Sequence, residues 1–146
     1  MIWFDAALEK HADDDLLRRS IAAVLSVDTD SVDVIHDIAQ IADMPATCLV
    51  TSEAFDDYSQ TISIYHSSDL HPPLLLDAAS QLARLLQRSL LVANDETTNP
   101  YSFILISGAG EPSVVLVDPD ALDEKHRYVI TSHTSGMSGQ SRESGK

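Results

Sequence analysis

The sequence predicts an α+β domain in which N-terminal helices and one central amphipathic helix pack on one face of a mainly antiparallel sheet. Apolar residues recur at helical spacing near the N-terminus and again after Pro72 and Pro73. The remaining segments are short runs rich in Val, Ile and Thr, which are typical of strands. With 146 residues, 44% of them hydrophobic, the chain can bury one self-sufficient core, and we expect a single globular domain over residues 1–132.

Two helices are predicted before residue 26. One apolar stripe at helical spacing runs through Leu16, Leu17, Ile21, Val24 and Leu25. Phe4 and Leu8 fall off this stripe, so the pattern predicts a break near Ala12 and Asp13 with a helix on each side. The acidic run that starts at Asp13 then begins the second helix, where carboxylates accept hydrogen bonds from the first N–H groups and face the positive end of the helix dipole.

The segment from Ser31 to Asp43 fits two secondary structures. Val34, Ile38 and Ile41 lie at helical spacing, and a proline follows the segment, as is common after a helix. The same residues are β-branched, which favours a strand. The sequence leaves both alternatives open.

Two adjacent strands are predicted at residues 47–51 and 61–65, separated by a polar, acidic loop over residues 52–60. The strongest helix prediction follows Pro72 and Pro73 and ends at Leu86, because its Leu and Ala side chains align on one face.

A strand meander is predicted to complete the domain. Its strands are residues 90–93, 103–107, 114–117 and 128–131, and its turns are Asn99–Pro100, Gly108–Gly110 and Asp118–Asp120. Residues 133–146 are mainly Ser, Gly and other polar residues, so we expect a disordered tail there.

The charge of the chain is strongly acidic. Its formal net charge is −14, and residues 1–57 alone carry 13 acidic and 3 basic side chains. Such a surface repels nucleic acid phosphates and anionic lipid headgroups, so we expect no nucleic acid and no membrane partner. Cys48 is the one cysteine, which excludes an internal disulfide and suits a reducing compartment. No cationic stretch followed by an apolar run opens the sequence, and we therefore expect a cytoplasmic protein.

Motifs for common catalytic mechanisms are missing from the sequence. The patterns G-x-S-x-G, H-E-x-x-H, G-x-x-x-x-G-K-[ST] and C-x-x-C do not occur, so we expect neither an enzyme nor a bound cofactor. The spacing D-x-D-x-x-D occurs twice and suggests calcium, but Val32 and Leu122 stand where a calcium loop needs an oxygen ligand. These acids are therefore predicted to cap helices and close turns.

A metal site is the weaker alternative for His66, Asp69 and His71. A turn could bring these three side chains together, although polar strand-to-helix loops are usually only solvated. Cys48 is predicted to be a buried apolar thiol, with Asp43 and Glu53 raising its pKa.

The acidic surface is the best candidate for a binding site, with generic solubility as the alternative explanation of its charge. Carboxylates facing Arg and Lys of a basic protein would form charge-assisted hydrogen bonds, and two aromatic rings beside them would act as apolar anchors. The predicted partner-binding residues are Glu53, Phe55, Asp56, Asp57 and Tyr58 on the acidic loop, together with Asp28, Asp30, Asp33 and Asp37.

A pattern-level resemblance adds to this interpretation. Residues 74–130 contain the runs Leu82–Leu86, Leu90–Val92, Asn99–Tyr101, Phe103–Leu105 and Val114–Asp118. A short, acidic α+β chain without catalytic motifs resembles the immunity proteins that neutralise bacterial toxins, and these runs are similar to small bacterial domains of that general kind. The resemblance implies a basic partner of the toxin or nuclease type and supplies no binding residues.

Two other functions stay open from the sequence. A secretion chaperone or adaptor has similar size and acidity, although the chain departs from that class by ending in strands instead of a closing helix. A metal-dependent enzyme with dispersed active-site residues is the third possibility. The oligomeric state is not determined by the sequence.

Overall fold

A computed structural model describes residues 2–52 and 58–134, which form eight strands and three α-helices. The strands are β1 (Ile2–Leu8), β2 (Val32–Ile35), β3 (Ala46–Ser52), β4 (Gln60–His66), β5 (Leu90–Ala93), β6 (Ser102–Ile106), β7 (Pro112–Val117) and β8 (Ile130–Thr134). The helices are α1 (Asp14–Leu25), α2 (Leu75–Leu86) and α3 (Pro119–Lys125). These elements agree with the predicted α+β class.

All eight described strands belong to one sheet, in the order β2-β3-β4-β1-β5-β6-β7-β8. The pair β2–β3 is parallel and the other six neighbouring pairs are antiparallel. β1 lies between β4 and β5, and the chain passes from β4 to β5 through α2. β4, α2 and β5 therefore form a split β-α-β unit, in which β1 lies between the two strands. A second crossover leads from β1 through α1 to β2.

The first predicted helix is wrong, because residues 2–8 form the central strand β1. Phe4, Ala6 and Leu8 belong to a large apolar cluster that also contains residues of α1 and α2. Ala7 belongs to a second cluster with residues of β5 and β7. A strand buried on both faces shows no alternation of polar and apolar residues, and for that reason its sequence does not reveal a strand.

The helical alternative for residues 31–43 is also wrong. The strand alternative holds for Val32–Ile35, which forms β2, and Ile38–Gln40 forms one turn of 3-10 helix. Asp37 caps this turn, since its Oδ1 accepts a hydrogen bond from the N–H of Ala39 at 2.9 Å. The helical spacing of Ile38 and Ile41 therefore does not correspond to a buried face.

Several predicted elements are confirmed within one or two residues. α1 begins after Asp13, whose Oδ1 accepts a hydrogen bond from the N–H of Leu16 at 2.8 Å. α2 begins two residues after Pro73, β3 and β4 are antiparallel neighbours, and β5 matches the predicted residues 90–93. The hairpin between β6 and β7 turns at Gly108–Gly110.

The region after β7 differs from its prediction. Asp118–Asp120 starts the helix α3, and the Oδ1 of Asp118 accepts a hydrogen bond from the N–H of Asp120 at 3.0 Å. α3 has no buried residue, so its sequence has no apolar periodicity from which a helix could be predicted. β8 continues to Thr134, two residues past the predicted domain end. The rest of the predicted tail, residues 135–146, lies outside the described residues.

The segment between β1 and α1, residues 9–12, is bonded to both halves of the sheet, and we call it the junction. The Glu9 N–H donates to the Ser89 carbonyl at 2.9 Å, ahead of β5. The Ala12 N–H donates to the Oε1 of Gln60 at 2.7 Å, and the Gln60 Nε2 donates back to the Ala12 carbonyl at 3.1 Å. Arg88 Nη1 donates to the His11 carbonyl at 2.5 Å. The junction therefore ties β4 to the start of β5.

Gly110 should be sensitive to substitution. Its φ is +85° and an added Cβ would contact the Arg84 side chain, so Gly110→Ala should lower the free energy of unfolding by about 1–2 kcal/mol. Urea denaturation measures this change. Gly108→Ala is the matched control: a Cβ there meets its nearest atom at 3.5 Å, and we expect a change within about 0.5 kcal/mol. Equal losses for the two variants would contradict this account of the hairpin.

Candidate functional site

The end of the sheet formed by β2 carries four of the predicted acidic residues, which we call the acidic edge: Asp28, Asp30, Asp33 and Asp37. Three of them are exposed, and Asp33, on β2 itself, is half-buried. Asp28 stands at the N-cap of a 3-10 turn without a capping bond from its side chain. The carboxylates thus follow the strand from one end to the other.

The arginines of α1, and His36 just after β2, bond to groups other than these four carboxylates, and Arg18 does so on β2 itself. Arg18 Nε donates to the Val32 carbonyl at 3.2 Å, and Arg19 Nε pairs with Asp15 at 2.9 Å. His36 Nε2 lies 3.0 Å from the Asp14 carboxylate at the start of α1. Within residues 2–52 and 58–134, none of the four carboxylates of the acidic edge forms an ion pair. Their charge is therefore available to an outside partner.

Two exposed isoleucines lie beside the acidic edge. β2 and β3 are parallel neighbours, so residues 36–45 must return the chain along the length of β2. Ile38 and Ile41 on this return segment keep 52% and 49% of their surface exposed. Their helical spacing predicts a buried helix face, so their exposure does not follow from the sequence pattern.

The other predicted contact residues fall in two groups. Glu53, Phe55, Asp56 and Asp57 lie outside the described residues. Tyr58 is described and is only 9% exposed, in the second apolar cluster with Ala7, Leu91 and Val115. Its ring is turned into the sheet and is not presented to a partner, so its predicted role as an exposed anchor is corrected.

The predicted metal ligands are not brought together. His66 Nδ1 donates to the Ser67 carbonyl at 2.7 Å, and its ring lies edge-on to Trp3 at 6.1 Å. Asp69 and His71 are exposed. No group of three His, Cys, Asp or Glu side chains suited to a metal ion occurs in the described part of the chain.

The second D-x-D-x-x-D segment has structural roles. Asp118 caps α3, and the Oδ2 of Asp123 accepts a hydrogen bond from the Tyr101 hydroxyl at 2.6 Å. That bond is the main cause of the raised pKa of Tyr101. These carboxylates behave as the predicted caps and turn residues, and not as a calcium loop.

Cys48 lies in β3 and is fully buried in the larger cluster. Burial raises the pKa of its thiol to about 12, with a smaller contribution from the negative charge of Asp14. The direction agrees with the prediction. The charge responsible is different, because β3 passes near the N-terminus of α1.

A cleft opens where the sheet divides between β1 and β5. These strands pair at only two positions, Ala7–Leu91 and Leu8–Leu90, although each continues further along its other neighbour. The open end of this fork forms a cleft of about 560 Å³. Its lining combines aromatic rings, hydroxyls and carboxylates: Trp3, Phe4, Phe103, Tyr128, Thr61, Ser63, Asp5 and Asp95. The volume is within the range of small-molecule pockets.

Comparison of the chain with protein-family models, with curated proteins and with solved structures finds no match. The resemblance to immunity proteins therefore stays a prediction. None of the helices in residues 2–52 and 58–134 is both long enough and apolar enough to cross a membrane.

Cys48 should be unreactive in the folded protein. At about pH 8 a thiol with this pKa is almost entirely protonated, and its burial blocks access. We expect a disulfide reagent such as DTNB to modify the native protein at least about 100-fold more slowly than the protein unfolded in guanidinium. Similar rates in the two states would contradict the burial of this thiol.

Proposed function

We propose that this protein binds a basic protein partner through the acidic edge and neutralises it, in the manner of an immunity protein or inhibitor. The partner class is a toxin or nuclease with a cationic surface. The single observation that supports this function best is the row of four carboxylates without ion pairs beside two exposed isoleucines.

Charge and apolar contact have separate roles in this proposal. The carboxylates accelerate encounter with a cationic partner and disfavour acidic competitors. Ile38 and Ile41 are then buried against the partner. This apolar contact stabilises the complex, to which exposed ion pairs contribute little. These isoleucines take the place of Tyr58, which is buried.

The position of the acidic edge at the end of the sheet suits protein recognition. β2 pairs only with β3 among the described strands, so its outer side can accept an extended basic segment as an added strand beyond Val32, whose carbonyl already accepts a hydrogen bond from Arg18. In this proposal α1 and α2 cover one face of the sheet and leave the edge open. Their shared apolar cluster with alternate residues of β1 supports that arrangement.

Generic solubility is the competing explanation of the charge, and it makes a different prediction. A solubilising charge acts through its total amount, whereas a binding charge acts through its position. The four carboxylates lie along one short strand and its two ends. This grouping favours a binding role, in which the position of the charge matters, over a solubilising role.

Charge reversal at the acidic edge should slow partner binding. Neither Asp28 nor Asp30 makes a side-chain hydrogen bond in the described structure, so Asp28→Lys with Asp30→Lys should leave the fold intact. We expect the association rate with the captured partner to fall about tenfold or more at low salt, with a weaker salt dependence. The partner is first enriched from the native cell extract with the wild-type protein and identified by mass spectrometry.

The matched control is Asp120→Lys with Glu124→Lys on α3, which changes the net charge equally. Both residues are exposed, whereas Asp123 is unsuitable because it holds the Tyr101 hydroxyl. The control should slow association much less. Equal slowing by the two double variants would place the effect in the total charge. A tight wild-type dimer without an enriched cationic partner would favour the secretion chaperone instead.

Removal of one isoleucine should weaken the complex after encounter. Ile38→Ser should raise the dissociation rate about tenfold, because the apolar contact is lost while the steering charge is kept. Leu85→Ser is the control, since Leu85 is exposed to a similar degree, 44% against 52%, but lies on α2. Surface plasmon resonance separates the two rates. If both variants behave like the wild type, Ile38 is no anchor.

A further inference from the structure

We propose that the cleft between β1 and β5 binds a small organic cation, a primary amine or guanidinium carried on an apolar body. This site is separate from the acidic edge, because β3 and β4 stand between β2 and β1 in the sheet. The inference therefore does not depend on the proposed function.

The charge of the cleft selects a cation. Among the described residues, Asp5 and Asp95 are the two ionisable carboxyls of the lining, and no Lys, Arg or His of that part of the chain contributes to it. Neither carboxylate forms an ion pair within residues 2–52 and 58–134. A cation entering the cleft meets two carboxylates and no positive side chain of the described lining, whereas an anion is repelled.

The aromatic side chains favour a cation with an apolar body. Phe103 and Tyr128 meet edge-to-face with ring centroids 5.4 Å apart, and Trp3 of β1 also lines the cleft. Ring faces attract ammonium and guanidinium groups, and the walls bury the carbon skeleton of the ligand. Burial, and to a smaller extent the charge of Asp5, raise the pKa of Tyr128, so its hydroxyl stays protonated and can hydrogen-bond a ligand.

The backbone at the fork offers further polar groups. The Glu9–Ser89 bond fixes the spacing of the ladder, in which Ala7–Leu91 is the next bonded pair and Asp5–Ala93 would follow. The ladder ends before that last pair. The carbonyl groups of Asp5 and Ala93 are therefore placed to accept hydrogen bonds from a ligand, which an amine or guanidinium can donate.

Trp3 provides a direct signal for binding, because it lines the cleft and is the sole tryptophan of the chain. The full-length protein is titrated with 2-phenylethylamine, phenylethylguanidine and hexylamine, with excitation selective for tryptophan. At least one of these cations should give a saturable change with Kd below about 1 mM. The neutral 2-phenylethanol and the anionic 3-phenylpropionate should bind at least about tenfold more weakly.

The two carboxylates are tested by near-isosteric variants. Asp95→Asn and Asp5→Asn should each weaken binding of the best amine by about tenfold, and circular dichroism should show an unchanged fold. Asp69→Asn is the matched control, since Asp69 is exposed and does not line the cleft. It should leave the affinity unchanged.

Three results would overturn the proposal. The first is no saturation with any of the three cations up to about 10 mM. The second is equal binding of the alcohol, which would make the cleft an apolar pocket without cation preference. The third is an equal loss in Asp69→Asn, which would assign the effect to the overall charge. None of these results bears on partner binding at the acidic edge, so the two proposals fail separately.

Discussion

The architecture depends on the junction, which forms hydrogen bonds both to Gln60 of β4 and to the residues just ahead of β5. β1 is the one strand that joins the β2-β3-β4 half of the sheet to the β5-β6-β7-β8 half. Its ladder to β4 is long and its ladder to β5 has two register pairs, so the bonds of Glu9 and His11 to residues just ahead of β5 extend the shorter contact, while Ala12 bonds to β4. Buried Gln60 contributes both its amide donor and its amide acceptor to Ala12, which leaves no polar atom of that side chain unsatisfied. Because β1 and β5 are held together at the junction, the cleft between them can open only at the other end of the two strands.

The acidic edge combines two requirements that are usually opposed. An edge strand is open to pairing with any other exposed strand, and natural sheets discourage this with short strands and charged side chains. β2 is four residues long and is bordered by carboxylates, so a second copy of the chain meets like charge. The same carboxylates favour a basic segment. Under the proposed function, one set of side chains would therefore both disfavour strand pairing between copies of the chain and favour the basic partner.

The sequence predicts those elements whose periodicity reflects burial on one face. α1, α2 and β4 belong to this group, whereas β3 and β5 have consecutive buried residues and were predicted from short apolar runs bounded by polar or turn-forming segments. β1 was missed because Phe4, Ala6 and Ala7 are buried on opposite faces, and α3 because it buries nothing. The site was predictable in part: the charge of the acidic edge is visible in the sequence, whereas the burial of Tyr58 and the exposure of Ile38 depend on tertiary contacts. The cleft arises from the register of strands far apart in the chain, which no local pattern encodes.

The central position of β1 has a consequence for the order of folding. Phe4 pairs with Ile64 and Ala7 with Leu91, so the central strand of the sheet is synthesised before either of its neighbours. At about 5–20 residues per second, the ribosome needs several seconds to supply β4 and longer to supply β5. Until then the apolar strand β1 has no neighbouring strand to pair with. Contacts between residues so far apart in the sequence also form slowly. The nascent chain is consequently most vulnerable to aggregation in the interval between the first strand and the fourth.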